Sequence, residues 1–68
     1  MKFTVKQARE YAGLTQKQMA EFLGMGRDTY AKKEAHSDKF TIAEGITIAD
    51  KTGVPMDAII FLFILYFK

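Results

Sequence analysis

The sequence predicts an all-α domain of five short helices followed by an apolar C-terminal segment. Three capping boxes, each a hydroxyl N-cap residue followed three positions later by Glu or Gln, precede apolar patterns at helical spacing. Glycines stand where these patterns stop, and glycine adopts the left-handed conformation that ends many helices. The 68 residues allow one small domain, whose core is only marginally stable without a disulfide, a structural metal or a partner.

These start and stop signals place the first, second and fourth helices. The capping boxes begin at Thr4, Thr15 and Thr41, and the glycine stops are Gly13, Gly24 and Gly53. The helices are therefore expected over 4–12, 15–23 and 41–52.

The third and fifth helices have weaker signals. Gly26 is an acceptable N-cap for a polar helix over about 26–35, of which only Tyr30 and Ala31 are weakly apolar. A helix this polar is expected to be exposed on most sides. Pro55 suits the first turn of a short fifth helix over about 55–60.

The small number of reactive side chains in the sequence argues against an enzyme. The chain has no cysteine, one histidine (His36) and one serine (Ser37), so neither a zinc cluster nor a Ser-His-Asp constellation can be assembled. His36 is interpreted as an ordinary loop residue. We expect no cofactor, no metal and no small-molecule ligand, and the absence of cysteine is typical of a reducing cytoplasm.

Charge is distributed unevenly along the chain. Residues 1–33 carry seven cations and three anions, a net charge of +4, whereas residues 34–68 carry three cations and five anions, a net charge of −2. This asymmetry favours one surface that meets an anionic partner.

The stretch from Leu14 to Glu34 contains the most informative motif. Two short helices are joined by Gly24-Met25-Gly26, and the small residue Ala20 lies midway along the first helix. A tight turn needs a residue that tolerates positive φ, and a small residue allows two helices to cross closely. Such a pair of helices presents the second one to the DNA major groove.

The sequence resembles the phage Cro/cI-type helix-turn-helix family over nearly its whole length. The matching residues are Gly13-Leu14-Thr15-Gln16, Met19-Ala20, Leu23-Gly24, Tyr30, Glu34, Ile48-Ala49 and Thr52-Gly53-Val54-Pro55. The resemblance implies a compact five-helix, lambda-repressor-like domain over residues 1–60. It also implies a small transcriptional regulator of phage or prophage type that binds double-stranded DNA.

The resemblance assigns DNA contacts residue by residue. Arg27, Asp28 and Lys32 match positions that face base edges, and Gln16 matches one that contacts phosphate and braces the first side chain of the recognition helix. Arg27 has the donors to pair with guanine; Asp28 would accept from cytosine, repel phosphate or simply favour the helix N-terminus. Gly26 and Thr29 flank this face, and the expected phosphate contacts are Thr15, Lys17, Ser37 and Lys39.

The resemblance also implies one structural ion pair and shows three departures. Arg9 and Glu34 match a pair that links the first and third helices. Lys33 stands where the family usually has a core aliphatic residue, so either its stem lies along apolar surface and places the ammonium in solvent, or the third helix is rotated or shortened at its end. Gly26 replaces a hydroxyl cap, and Gly45 lies inside the fourth helix.

The apolar run from Ile59 to Phe67 is too short to span a bilayer as a helix, which needs roughly 20 residues. Its aromatic and β-branched residues favour a strand over 61–68. Some Cro-like proteins dimerise through such a strand, so we expect a homodimer on a pseudo-palindromic operator. The expected dimerisation residues are Ile60, Phe61, Leu62, Phe63, Ile64, Leu65, Tyr66 and Phe67.

Two alternatives remain for this segment, and one for the whole chain. The segment could fold back as intramolecular core, or aggregate because the natural chain was cut or altered. The domain could be a protein-interaction module on the same fold, of the antitoxin or antirepressor type.

Overall fold

The computed structural model describes residues 2–36 and 39–59, which include four α-helices and, after Pro55, a short 3-10 turn. The helices are α1 (Val5–Tyr11), α2 (Gln16–Leu23), α3 (Arg27–Ala35) and α4 (Ile42–Thr52). Complete capping boxes begin α1, α2 and α4 at Thr4, Thr15 and Thr41, as predicted.

The predicted fifth helix over 55–60 is not confirmed as an α-helix in the described residues. A 3-10 turn, Met56–Ala58, takes its place after Pro55 and is closed by bonds from residue i+3 to residue i. The backbone N–H of Phe3 donates to the carbonyl of Ala58 at 2.7 Å, and Phe3 forms a parallel bridge with Ile59. Because Ile59 has an extended backbone, with φ −100° and ψ 134°, the chain leaves helical geometry there.

The core lies where all four helices meet. α2 packs on α3, and α4 packs on both α1 and α2. The buried apolar residues are Val5, Ala8, Met19, Ala20, Tyr30, Phe40, Ile48, Val54 and Ile59. Tyr30 is the largest residue in this group and the one residue of α3 that is fully buried, so α3 is mostly exposed, as its polarity predicts.

The connection between α2 and α3 has the geometry that the motif predicts. Gly24 ends α2 in the left-handed conformation at φ 71° and ψ 31°, and the N–H of Met25 donates to the carbonyl of Ala20 at 3.0 Å. Gly26 then begins α3 with an extended backbone and provides no side-chain cap. Ala20 is 1% exposed, as expected for a small residue at a close helix crossing.

The predicted strand over 61–68 and the dimerisation residues from Ile60 to Phe67 lie outside the described residues. Within the described part, no helix is both long and apolar enough to cross a membrane.

Replacement of Gly24 by alanine should lower the unfolding free energy by about 1 kcal/mol, because a Cβ atom is strained in the left-handed conformation. Gly26→Ser is the control at the other glycine of the turn. Gly26 has φ −74°, and a Cβ atom there would meet no neighbouring atom within 4 Å, so serine should fit, cap α3 and raise stability by about 0.3 kcal/mol. Urea denaturation measures both changes, and an equal loss in the two variants would contradict the assignment.

Candidate nucleic-acid interface

The outward surface of α3 is polar and exposed. Arg27, Asp28, Thr29 and Lys32 are all exposed, whereas Tyr30 of the same helix is fully buried. The four residues predicted to face DNA on this helix therefore share the solvent side of a helix whose other side contacts the core. That arrangement leaves their side chains available to an external ligand.

Arg27 and Asp28 are neighbours that interact only weakly. Arg27 Nη1 lies 3.4 Å from Asp28 Oδ1, and the two side chains are 60% and 93% exposed. An exposed pair of this length contributes little to stability, so Arg27 can exchange this contact for another acceptor. Asp28 lies in the first turn of α3, where the helix dipole favours a negative charge.

The start of α2 contains three of the predicted residues and contacts α3 through Gln16. Thr15 and Lys17 are exposed, and the Thr15 hydroxyl accepts from the backbone N–H of Gln18 at 3.1 Å. That hydroxyl keeps its own hydrogen as a donor. Gln16 is half-buried, and its amide donates to Glu34 Oε1 at 3.0 Å, so it braces the C-terminal half of α3 rather than its first residue.

The remaining predicted contacts follow α3. Lys39 is exposed, and its backbone N–H donates to the carbonyl of His36 at 2.9 Å. His36 is exposed at the C-cap of α3. Ser37 lies outside the described residues. In the described ranges no group of three His, Cys, Asp or Glu side chains could hold a metal ion.

A buried carboxylate fixes α3 against α1 and α2. Glu34 accepts hydrogen bonds from Arg9 Nε at 2.7 Å, from the Tyr30 hydroxyl at 2.5 Å and from Gln16 at 3.0 Å. Arg9 also donates from Nη2 to Glu34 at 3.3 Å and from Nη1 to the carbonyl of Leu14 at 2.8 Å. The Arg9 and Glu34 side chains are 10% and 4% exposed, so this ion pair, which the family resemblance implies, is buried and fully hydrogen-bonded.

The Glu34 cluster, which comprises Glu34, Arg9, Gln16 and Tyr30, perturbs the acidity of its members. Burial raises the pKa of Glu34, but the hydrogen bonds from Arg9, Tyr30 and Gln16 outweigh it, and the net pKa is lowered. Burial and the hydrogen bond to Glu34 raise the pKa of Tyr30, so its hydroxyl stays protonated and donates. The hydrogen bond to Glu34 likewise raises the pKa of Arg9.

Lys33 has a partner on another helix that its position in the sequence does not indicate. α3 continues through Ala35, so the helix is not shortened at Lys33, and the side chain is half-buried. Its ammonium does not end in solvent but lies 3.0 and 3.1 Å from the two carboxylate oxygens of Glu44. In the sequence, Lys33 is notable for its unusual position and Glu44 for its place in a capping box. No local signal indicates that the two side chains meet.

Acid should destabilise the fold through the Glu34 cluster. The pKa of Glu34 is lowered on folding, so its contribution to stability is present above its ordinary pKa of 4.5 and is lost as the pH falls through its folded value. Glu34→Gln should lower the unfolding free energy at neutral pH by about 3 kcal/mol, because the amide NH2 cannot accept the hydrogen bonds that one carboxylate oxygen accepts and the Arg9 charge stays buried without its partner.

The same variant should lose less stability than the wild type as the pH falls from neutral into the acid range, because it has one fewer carboxylate to protonate. Urea denaturation at several pH values measures this. Equal losses in the two proteins would show that Glu34 does not contribute to the acid sensitivity.

Comparison with known proteins agrees with this geometry. The sequence model of a helix-turn-helix family matches residues 5–59, which include all four helices and the turn between α2 and α3. No curated protein and no solved structure matches the sequence. The chain belongs to the Cro/cI-type helix-turn-helix family, whose members are DNA-binding transcription regulators.

Proposed function

We propose that this protein is a small transcriptional regulator of phage or prophage repressor type that binds double-stranded DNA in a sequence-specific manner. α3 is its recognition helix in the major groove. The observation that carries the proposal is the contrast between the two sides of α3: its outward residues are exposed and polar, while its inward side is fixed by the buried Glu34 cluster. A helix held this firmly loses little freedom when it binds.

In this proposal, Arg27, Asp28 and Lys32 contact the base edges. The Arg27 guanidinium has the forked donors that pair with O6 and N7 of guanine, and its present partner Asp28 holds it only weakly. Asp28 would accept from the amino group of cytosine, and Lys32 would donate to a base acceptor one turn further along α3. Gly26 and Thr29 flank these three residues and lie close to the DNA backbone in this arrangement.

Phosphate contacts orient the protein on the duplex without reading sequence. Thr15 and Lys17 at the start of α2 take this role, together with Ser37 and Lys39 after α3. Gln16 joins them through the second N–H of its amide, since the first is bound to Glu34. Because Glu34 holds the Gln16 amide in place, the second N–H has a defined position from which to donate to a phosphate.

We propose a homodimer whose contact is a strand formed by residues 61–68, attached to a DNA-binding domain over 1–60. The bridge between Phe3 and Ile59 supports this, because the chain is already extended and paired where the apolar segment begins. In this proposal, a second copy of the chain pairs with residues 61–68.

A homodimer implies a pseudo-palindromic operator, because two symmetry-related recognition helices meet half-sites roughly 34 Å apart, one turn of DNA. In this proposal the protein works in the cytoplasm of a bacterial or phage-infected cell, where its DNA target is accessible.

A protein-interaction module of the antitoxin or antirepressor type is the second candidate. Ile42 and Ile46, one turn apart on α4, are 51% and 57% exposed, and a small apolar patch of this kind suits a protein partner. Retention of one stoichiometric protein partner, with no duplex DNA bound at low salt, would favour this candidate.

Selection from a random duplex library tests the DNA proposal and should enrich one inverted repeat. Arg27→Ala should then weaken binding to the selected duplex by about 1–3 kcal/mol and relax the preference at one base pair of each half-site. Lys6→Ala, which removes an exposed cation from α1, is the control and should keep the parental preference. If Arg27→Ala selects the same sequence as the parent, Arg27 does not read a base.

Sedimentation of the full chain tests the dimer. The wild type should sediment as a dimer, whereas a chain that ends at Ile60 and the full-length variant Phe63→Asp should both be monomers with unchanged helical content. A dimer that survives in both variants would reject strand pairing. A wild-type monomer would indicate that the segment folds back, and concentration-dependent precipitation would indicate aggregation.

A further inference from the structure

We propose that Lys33 is a positioning residue of the DNA-reading surface, which it serves through its ion pair with Glu44 and not through contact with phosphate. This inference rests on the proposed function, because it concerns how α3 is oriented for reading DNA. It assigns opposite roles to two adjacent lysines of α3: Lys32 faces the DNA, and Lys33 faces the protein.

The geometry of the ion pair favours an orienting role. The Lys33 ammonium lies 3.0 and 3.1 Å from the two oxygens of Glu44, and the two side chains are 24% and 19% exposed. Lys32, one residue earlier, is exposed. A partly buried ammonium that already has a carboxylate partner is poorly placed to bind a phosphate as well.

Glu44 is itself held in place by the start of α4. Its Oε1 atom accepts from the backbone N–H of Thr41 at 2.9 Å, while its own backbone N–H donates to the Thr41 hydroxyl at 3.1 Å. Burial raises the pKa of Glu44, but the hydrogen bonds from Thr41 and Lys33 outweigh it and the net pKa is lowered, so the carboxylate is ionised at neutral pH. The partner of Lys33 is therefore a fixed charge and not a mobile surface side chain.

Two anchors at different angles around the protein-facing side of α3 restrain its rotation about its own axis. Tyr30 and Glu34 are four residues apart and lie on one side, where they meet α1 and α2 through the Glu34 cluster. Lys33 lies about 100° around the helix from Glu34 and connects α3 to α4. A roll of α3 would break one of the two anchors, so the direction in which Arg27 and Lys32 point depends on both.

An aliphatic residue at position 33 would pack against its neighbours but would not bond to Glu44. Apolar contacts are non-directional, whereas the ammonium is held by two oxygens at defined positions. Loss of the ion pair should therefore affect discrimination between DNA sequences more than it affects stability. A residue with a merely structural role would change stability and leave discrimination as it was.

Lys33→Met and Lys17→Met, measured side by side, test the inference in the full chain. The change from lysine to methionine removes an ammonium group in both variants. Lys33 is the proposed positioning residue, and Lys17 is a proposed phosphate contact. Binding to the selected duplex and to an unrelated duplex is measured over a range of salt concentrations at a temperature where circular dichroism shows both variants to be folded.

Lys33→Met should weaken binding to the selected duplex roughly fivefold, leave binding to the unrelated duplex unchanged and keep the salt dependence of the wild type. Lys17→Met should weaken binding to both duplexes and reduce the salt slope by about 1. Lys33→Arg, which retains the charge, should recover most of the lost discrimination.

Three results would overturn the inference. A reduced salt slope in Lys33→Met would make Lys33 a phosphate contact, and unchanged discrimination would remove its orienting role. Unaltered hydrogen exchange of the α3 amides in free Lys33→Met would show that the ion pair does not restrain the helix. Failure of the wild type to bind any duplex is a separate result, because it would refute the proposed function itself.

Discussion

The rest of the structure depends on one buried carboxylate. Glu34 is 4% exposed and accepts from groups that belong to α1, α2 and α3, so it joins these three helices at a single point. Removal of one partner from such a pair is costly, because the remaining charge stays buried without compensation. The same cluster therefore stabilises a small domain and sets the angle at which α3 faces solvent.

A chain of 68 residues has little apolar core with which to hold a mostly polar helix. α3 contributes one fully buried residue, Tyr30, and even this residue combines an apolar ring that contacts Phe40 with a hydroxyl bound to Glu34. Its orientation is therefore determined largely by directional polar contacts, those of the Glu34 cluster and that of Lys33. The exposed side of α3 can therefore carry the polar side chains of Arg27, Asp28, Thr29 and Lys32.

The sequence predicts those features that local chemistry decides. The capping boxes at Thr4, Thr15 and Thr41 depend on residues three positions apart, so the chain alone predicts the starts of α1, α2 and α4. The predicted fifth helix is a 3-10 turn, because Pro55 suits the first turn of either kind of helix and the distant N–H of Phe3 donates to the carbonyl of Ala58. The partners of Gln16 and Lys33 could not be predicted for the same reason: each lies on another helix, and only the fold brings them together.

The most direct test maps which side of the protein meets DNA. The isotopically labelled full chain is titrated with its selected duplex, and the shift of every backbone amide is followed by NMR. We expect the largest shifts from Gly26 to Lys32 and around Gln16, with smaller shifts on α4. Shifts concentrated around Ile42 and Ile46, with α3 unaffected, would contradict the claim that the exposed side of α3 is the surface that reads DNA.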